Sequence, residues 1–72
     1  MVFDYSKLRG RIVEKYGSNS EFAVALGLKR PQLSARLNHT TLFRAAEIKR
    51  AQELLEIDPA EIGQYFFTLK VR

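Results

Sequence analysis

Residues 18–38, SNSEFAVALGLKRPQLSARLN, carry the strongest structural signals of this chain. Ser18 and the glutamate three residues later match a capping box, in which each residue satisfies an unpaired amide of the other at a helix start. Gly27 is a residue type that ends helices, and Pro31 suits the first position of a next helix over about residues 31–38. Because the residue before a proline avoids the α region, Arg30 is expected as the N-cap of that helix. The stretch therefore predicts two short helices joined by a tight turn.

The spacing of three residues indicates how these two helices pack. Ala23 lies four residues before Gly27, and Leu33 lies six residues after it. Helices that cross at about 90–120° need a small residue at their contact and a turn of a few residues. They also need a turn residue that tolerates a positive φ and an apolar residue that anchors the second helix. The pattern predicts a helix-turn-helix over about residues 18–38.

The rest of the chain predicts further helices and one extended tail. A first helix is predicted over residues 4–16, because it starts with an aspartate and is followed by a glycine. A fourth helix is predicted over residues 45–56, and the start signal Asp58-Pro59-Ala60-Glu61 predicts a short fifth one. Residues 67–72 alternate apolar and polar side chains, which is typical of a half-exposed strand. The predicted class is all-α, with four to five helices in a single domain over residues 1–72.

Length and composition exclude several classes of protein. The 72 residues include no Cys, so a disulfide framework, a thiolate metal site and a thiol nucleophile are excluded. His39 is the only histidine, and no metal site is expected. We expect no cofactor and no catalysis, because paired carboxylates, a nucleophile–base pair and a phosphate-cradling loop are not recognisable. No apolar run approaches the roughly 18 residues of a membrane span and no signal peptide is visible, so a soluble cytoplasmic protein is expected.

The formal net charge of +4 is unevenly distributed along the sequence. Residues 22–46 carry four Lys and Arg side chains and no acid, whereas residues 47–61 carry five acids and two basic residues. A localised basic surface favours a polyanionic partner, and nucleic acid is the usual one. The charge distribution therefore agrees with a double-stranded DNA operator as the partner.

Several short motifs resemble the Cro and phage-repressor class of helix-turn-helix domains: Ser18-Asn19-Ser20-Glu21-Phe22-Ala23, Leu26-Gly27-Leu28, Leu33-Ser34 and Leu37-Asn38. With Phe43, Glu47-Ile48 and residues 62–67, the sequence is similar to small Cro-like and modulator (antirepressor) proteins of temperate phages of Gram-positive bacteria. The resemblance implies a compact lambda-repressor-like domain of five helices. It also implies a role in a lysis–lysogeny switch inside a bacterial host cell.

The resemblance and the helix pattern together identify the residues expected at a DNA interface. The outward face of the third helix would enter the major groove and read bases through Gln32 and Ala35, and Arg30, at the entry to the helix, could reach guanine or a phosphate. Gln32 has the groups to bond adenine twice, and Ala35 can contact thymine methyl groups. Phosphate contacts are expected from the residues that flank this face: Asn19, Lys29, Arg36, Asn38 and Arg44.

Two functions are consistent with the sequence. The first is a Cro-like DNA-binding transcriptional regulator, which the acid-free basic stretch favours. The alternative is an antirepressor that binds a partner phage repressor, and the scarcity of polar residues on the reading face favours it. The family pattern is also broken at two positions: Lys29 stands where a Ser or Thr cap is common, and His39 replaces the glycine that usually follows Asn38.

The tail and the acids of the last two helices carry further expectations. Phe67, Leu69 and Val71 either complete the core or present an apolar surface to a second subunit or to a different protein. A homodimer and a complex with a repressor both remain open on this basis. Four acids are expected on outward faces, where they would be solvated: Glu47, Glu53, Glu56 and Glu61.

Overall fold

The fold is described here for residues 2–70 from a computed structural model. Five α-helices follow one another along the chain: α1 (Ser6–Tyr16), α2 (Asn19–Leu26), α3 (Arg30–Leu37), α4 (Ala45–Leu54) and α5 (Ile62–Phe66). A 3-10 turn over Pro59–Glu61 leads directly into α5. Within residues 2–70 no strand is formed, and the predicted all-α class is confirmed. None of the helices in this part of the chain has the length and apolar composition needed to cross a bilayer.

Helix α1 begins two residues later than predicted. Asp4 does bind the helix start, because its Oδ1 accepts the amide of Ser6 at 2.8 Å. The hydrogen bonds from Ser6 lower the pKa of Asp4. Tyr5 is the N-cap of α1, so Asp4 binds the helix start from the position that precedes the N-cap. At the other end Gly17 adopts φ 82° and its amide bonds the carbonyl of Val13, as predicted for a helix-ending glycine.

Helices α2 and α3 are each eight residues long. Ser18 Oγ accepts the amide of Glu21 at 3.2 Å, which is the hydroxyl half of the predicted capping box. Gly27 adopts φ 86° and ends α2, and the amide of Leu28 bonds the carbonyl of Ala23 at 2.9 Å across the turn. The order of the two helices and the glycine between them are therefore as predicted from the sequence.

Helix α4 ends at Leu54, two residues before its predicted end. Glu56 adopts φ 53°, a left-handed conformation that stops the helix. Two cations of α1 bind this end: the Arg11 guanidinium donates to the carbonyls of Leu55 (2.9 Å) and Glu56 (3.1 Å), and Lys15 Nζ pairs with the Glu56 carboxylate at 3.0 Å. Cations are favourable at a helix C-terminus, so these two side chains of α1 stabilise the end of α4. The hydrogen bond from Lys15 lowers the pKa of Glu56.

Residues 67–70, the described part of the tail, form a single isolated bridge where the alternating sequence predicts a strand. Phe3 pairs with Leu69 in an antiparallel bridge, and the flanking bonds run from the Asp4 amide to the Thr68 carbonyl (2.7 Å) and from the Lys70 amide to the Val2 carbonyl (3.0 Å). The N-terminal segment is too short to extend this pairing, because α1 begins at Ser6.

The core is formed by apolar side chains that each helix directs inward. Seven large side chains are fully buried: Phe22, Phe66, Leu8, Ile12, Leu33, Leu37 and Leu55. Leu33 and Leu37 come from one face of α3, as the sequence predicts, so α3 is fixed against the other helices by its apolar side. The opposite side of α3 therefore faces outward.

Candidate functional site

Gln32 and Ala35, two of the residues predicted to read bases, lie on the side of α3 away from Leu33 and Leu37, whereas Arg30 is in line with the two leucines at the start of the helix. Arg30 and Gln32 are exposed, and Ala35 is half-buried. Helix α3 begins at Arg30, one residue earlier than predicted, and Lys29 takes the N-cap position. The arginine is thus the first residue of the helix and not its cap. All three residues lie on α3, which is eight residues long. Their role in base reading stays a prediction.

Gln32 also has a structural role at the start of α3. Its Oε1 accepts the backbone amide of Lys29 at 2.8 Å, which satisfies a donor that would otherwise be free at the helix start. The lysine side chain has no acceptor and cannot cap the amides of the first turn, so the glutamine supplies only the second half of a capping box, the bond to the N-cap amide. The side-chain amide nitrogen of Gln32 stays available, while its oxygen is already engaged.

Arg36 lies in a different environment from the one that the sequence predicts. It is only 7% exposed, and its guanidinium donates to both carboxylate oxygens of Glu47, from Nε at 2.7 Å and from Nη2 at 2.9 Å. Its Nη1 donates to the carbonyl of Gln32 at 2.9 Å. The predicted position of Arg36 on the exposed flank is therefore wrong. Its guanidinium is buried and neutralised by Glu47 of α4, so Arg36 is not part of the surface that is available to phosphates.

Glu47 is likewise not the solvated acid that the sequence predicts. Its carboxylate binds Arg36 and also accepts the backbone amide of Arg44 at 3.0 Å, so it caps α4 as well. Burial acts to raise the pKa of Glu47, but the hydrogen bonds and charges of Arg36 and Arg44 outweigh it and lower that pKa. One carboxylate therefore links α3 to α4 and starts α4.

The loop after α3 is held by residues that sequence reasoning did not single out. Arg9, on α1, donates from Nη2 to the carbonyl of Leu37 and to Oδ1 of Asn38, both at 3.1 Å. His39 adopts φ 66° and stacks on Tyr5, with ring centroids 5.1 Å apart and planes 20° from parallel. The histidine therefore occupies the left-handed position where the family pattern has glycine, and the stacking contact holds it there.

Three of the cations predicted to contact DNA are considered together as the basic surface: Lys29, Arg30 and Arg44. All three side chains are exposed, and none takes part in an ion pair within residues 2–70. Asn19, at the start of α2, is half-buried, and Asn38 is exposed and bound to Arg9. Their predicted contacts with phosphate stay predictions.

A second candidate surface is apolar and lies around Phe67. The side chains of Phe67 and Leu69 are 51% and 47% exposed, so both leave a large part of their area outside the core. Phe67 packs edge-on against Phe3, with ring centroids 5.7 Å apart. Val71, the third residue predicted for this surface, lies outside the described residues. Leu42, in the loop between α3 and α4, adds another apolar side chain that is 71% exposed and that sequence reasoning did not identify.

A groove runs beside Phe67 between α4 and the segment that leads into α5. We call it the Phe67 groove; its volume is about 430 Å³, and it is lined by Ala45, Ile48, Lys49, Gln52, Pro59, Ile62 and Phe67. A smaller depression of about 110 Å³ lies on the other side of Ile48 and Phe67, between Leu42, Phe43 and Phe3. Phe67 is thus a ridge between two apolar depressions, a shape suited to contact with another protein.

Comparison with solved structures identifies a full-length relative. The chain superimposes on the solution structure of the modulator of repression (MOR) of the temperate bacteriophage TP901-1 from Lactococcus lactis with a TM-score of 0.83. The two sequences are 42% identical, and the match covers 100% of this chain and 97% of the other. A search of curated proteins found no match. A family model described as "Protein of unknown function (DUF739)" matches residues 1–69. The chain therefore belongs to the DUF739 family and is similar over its whole length to a phage modulator of repression.

Proposed function

We propose that this chain is an antirepressor, a non-catalytic protein that binds a phage repressor and weakens the repressor's hold on operator DNA. The observation that carries the proposal is the full-length similarity to the modulator of repression of phage TP901-1, at 42% identity and a TM-score of 0.83. That similarity extends through α4, α5 and the tail and is not confined to residues 18–38. It therefore favours the antirepressor over a regulator that shares only the DNA-binding helices.

The side chains of α3 support the same choice. A protein that discriminates operators needs side chains free to bond base edges, because each base pair contributes about 1–3 kcal/mol of discrimination. The oxygen of Gln32 is bound to the Lys29 amide, and Arg36 is bound to Glu47. Within residues 2–70, Arg30 is the one polar side chain without a hydrogen bond or ion pair among the residues predicted to read or flank bases on α3 itself. Such a face suits direct sequence readout poorly.

An antirepressor of this size can act by simple competition. If the chain and the operator cannot occupy a repressor together, a repressor that is bound to this chain cannot bind the operator. At a free concentration about 100-fold above its Kd, such a competitor weakens operator binding by about 2.7 kcal/mol. A binding surface without a catalytic site is sufficient for this function.

The direct test is calorimetric titration of this chain with the purified repressor encoded by the same phage genome, in the absence of DNA. We expect a saturable complex with a defined stoichiometry. The matched control is titration of the chain with the operator duplex alone, which should give only weak binding that is lost as salt rises. Absence of heat with the repressor, together with tight sequence-specific binding of the duplex, would contradict the proposal.

The basic surface favours a second candidate function, that of a Cro-like transcriptional regulator with a helix-turn-helix at α2 and α3. Lys29, Arg30 and Arg44 are exposed and free of ion pairs within the described residues, as phosphate-binding residues should be. A homodimer would then place two α3 helices in successive major grooves about 34 Å apart. Selection from randomised duplexes tests this function: a two-fold symmetric consensus supports it, and binding without an enriched motif contradicts it.

A further inference from the structure

We draw no further inference here: the strongest candidate, the polar cavity of about 300 Å³ between the start of α1, the loop after α3 and the tail, carries nothing, because Arg9 in its lining already binds Leu37 and Asn38, the charge of Lys70 is opposed by Asp4, and nothing in residues 2–70 shows what would occupy it.

Discussion

Arg36 and Glu47 form a two-bond ion pair that joins α3 to the first turn of α4, with Nε–Oε1 and Nη2–Oε2 distances of 2.7 Å and 2.9 Å. Their side chains are only 8% and 14% exposed. Because Glu47 also accepts the amide of Arg44, the pair fixes both ends of the loop between the helices. One half-buried carboxylate and one buried guanidinium therefore join α3 to α4.

We predict that Arg36→Ala destabilises the protein by about 2 kcal/mol, because it removes the charged hydrogen bonds to the half-buried Glu47 carboxylate. Arg30→Ala, which removes an exposed arginine from the same helix, should change stability by less than about 0.5 kcal/mol. Urea unfolding followed by circular dichroism measures both. Equal effects of the two substitutions on the free energy of unfolding would mean that the ion pair does not stabilise the fold.

The same pair predicts how stability depends on pH. The pKa of Glu47 is lower in the folded protein than its ordinary value, so its contribution is fully present above about pH 4.3 and is lost as the pH falls through the folded-state pKa. Glu47→Gln should therefore lower stability at neutral pH and reduce the loss of stability on acidification. Thermal unfolding over a series of pH values measures the difference between the two proteins.

A control is needed for the acid-dependent background, since the pKa values of Asp4 and Glu56 are also lowered. Glu53→Gln, which removes an acid without an ion pair in the described part of the chain, should leave the pH profile parallel to that of the wild type. Parallel profiles for Glu47→Gln and the wild type would contradict the assignment of Glu47 as an acid-sensitive link.

Substitutions of Gln32 test whether its hydrogen bond to Lys29 stabilises the start of α3. Gln32→Glu keeps an acceptor for the Lys29 amide and adds an acid to the first turn of α3, so it should preserve or slightly raise the Tm. Gln32→Ala removes the acceptor and should cost about 1 kcal/mol. If the two variants unfold at the same urea concentration, the hydrogen bond to Lys29 does not stabilise α3.

Two glycines should respond to alanine in opposite directions. Gly27 adopts φ 86°, and a Cβ there would meet no atom within 4 Å, so Gly27→Ala costs only the left-handed conformation, about 1 kcal/mol or slightly more. Gly10 lies within α1 with the same open space and without a positive φ, so Gly10→Ala should stabilise the protein by about 1 kcal/mol. Destabilisation by both would show that unseen packing and not backbone conformation controls these positions.

The sequence predicts the helices well because their signals are local. The capping box at Ser18, the helix-ending Gly27 and the inward pair of Leu33 and Leu37 all act within one or two turns. The predicted helix ends are less accurate where the contact that determines the end comes from a residue distant in the sequence. The end of α4 depends on Arg11, more than forty positions earlier in the chain, and no local signal reveals that partner.

The candidate site was harder to predict for the same reason. Arg36 and Glu47 are eleven positions apart across a loop, and a basic stretch followed by an acidic one does not show which charges pair. One signal was available: Glu47 stands three residues after Arg44, the position from which an acid caps a helix start. The exposure of Leu42 and Phe67 follows from how the chain packs against α4, which apolar spacing alone does not reveal.

The most direct test of the antirepressor function is competition for a labelled operator. Fluorescence anisotropy would follow an operator duplex bound to the purified repressor at about 150 mM salt while this chain is added. We predict that the anisotropy falls to the value of free DNA, with a midpoint that rises in proportion to the repressor concentration when binding is tight. An unchanged or rising anisotropy would contradict this account, because the chain would then leave the repressor on its operator or bind the DNA beside it.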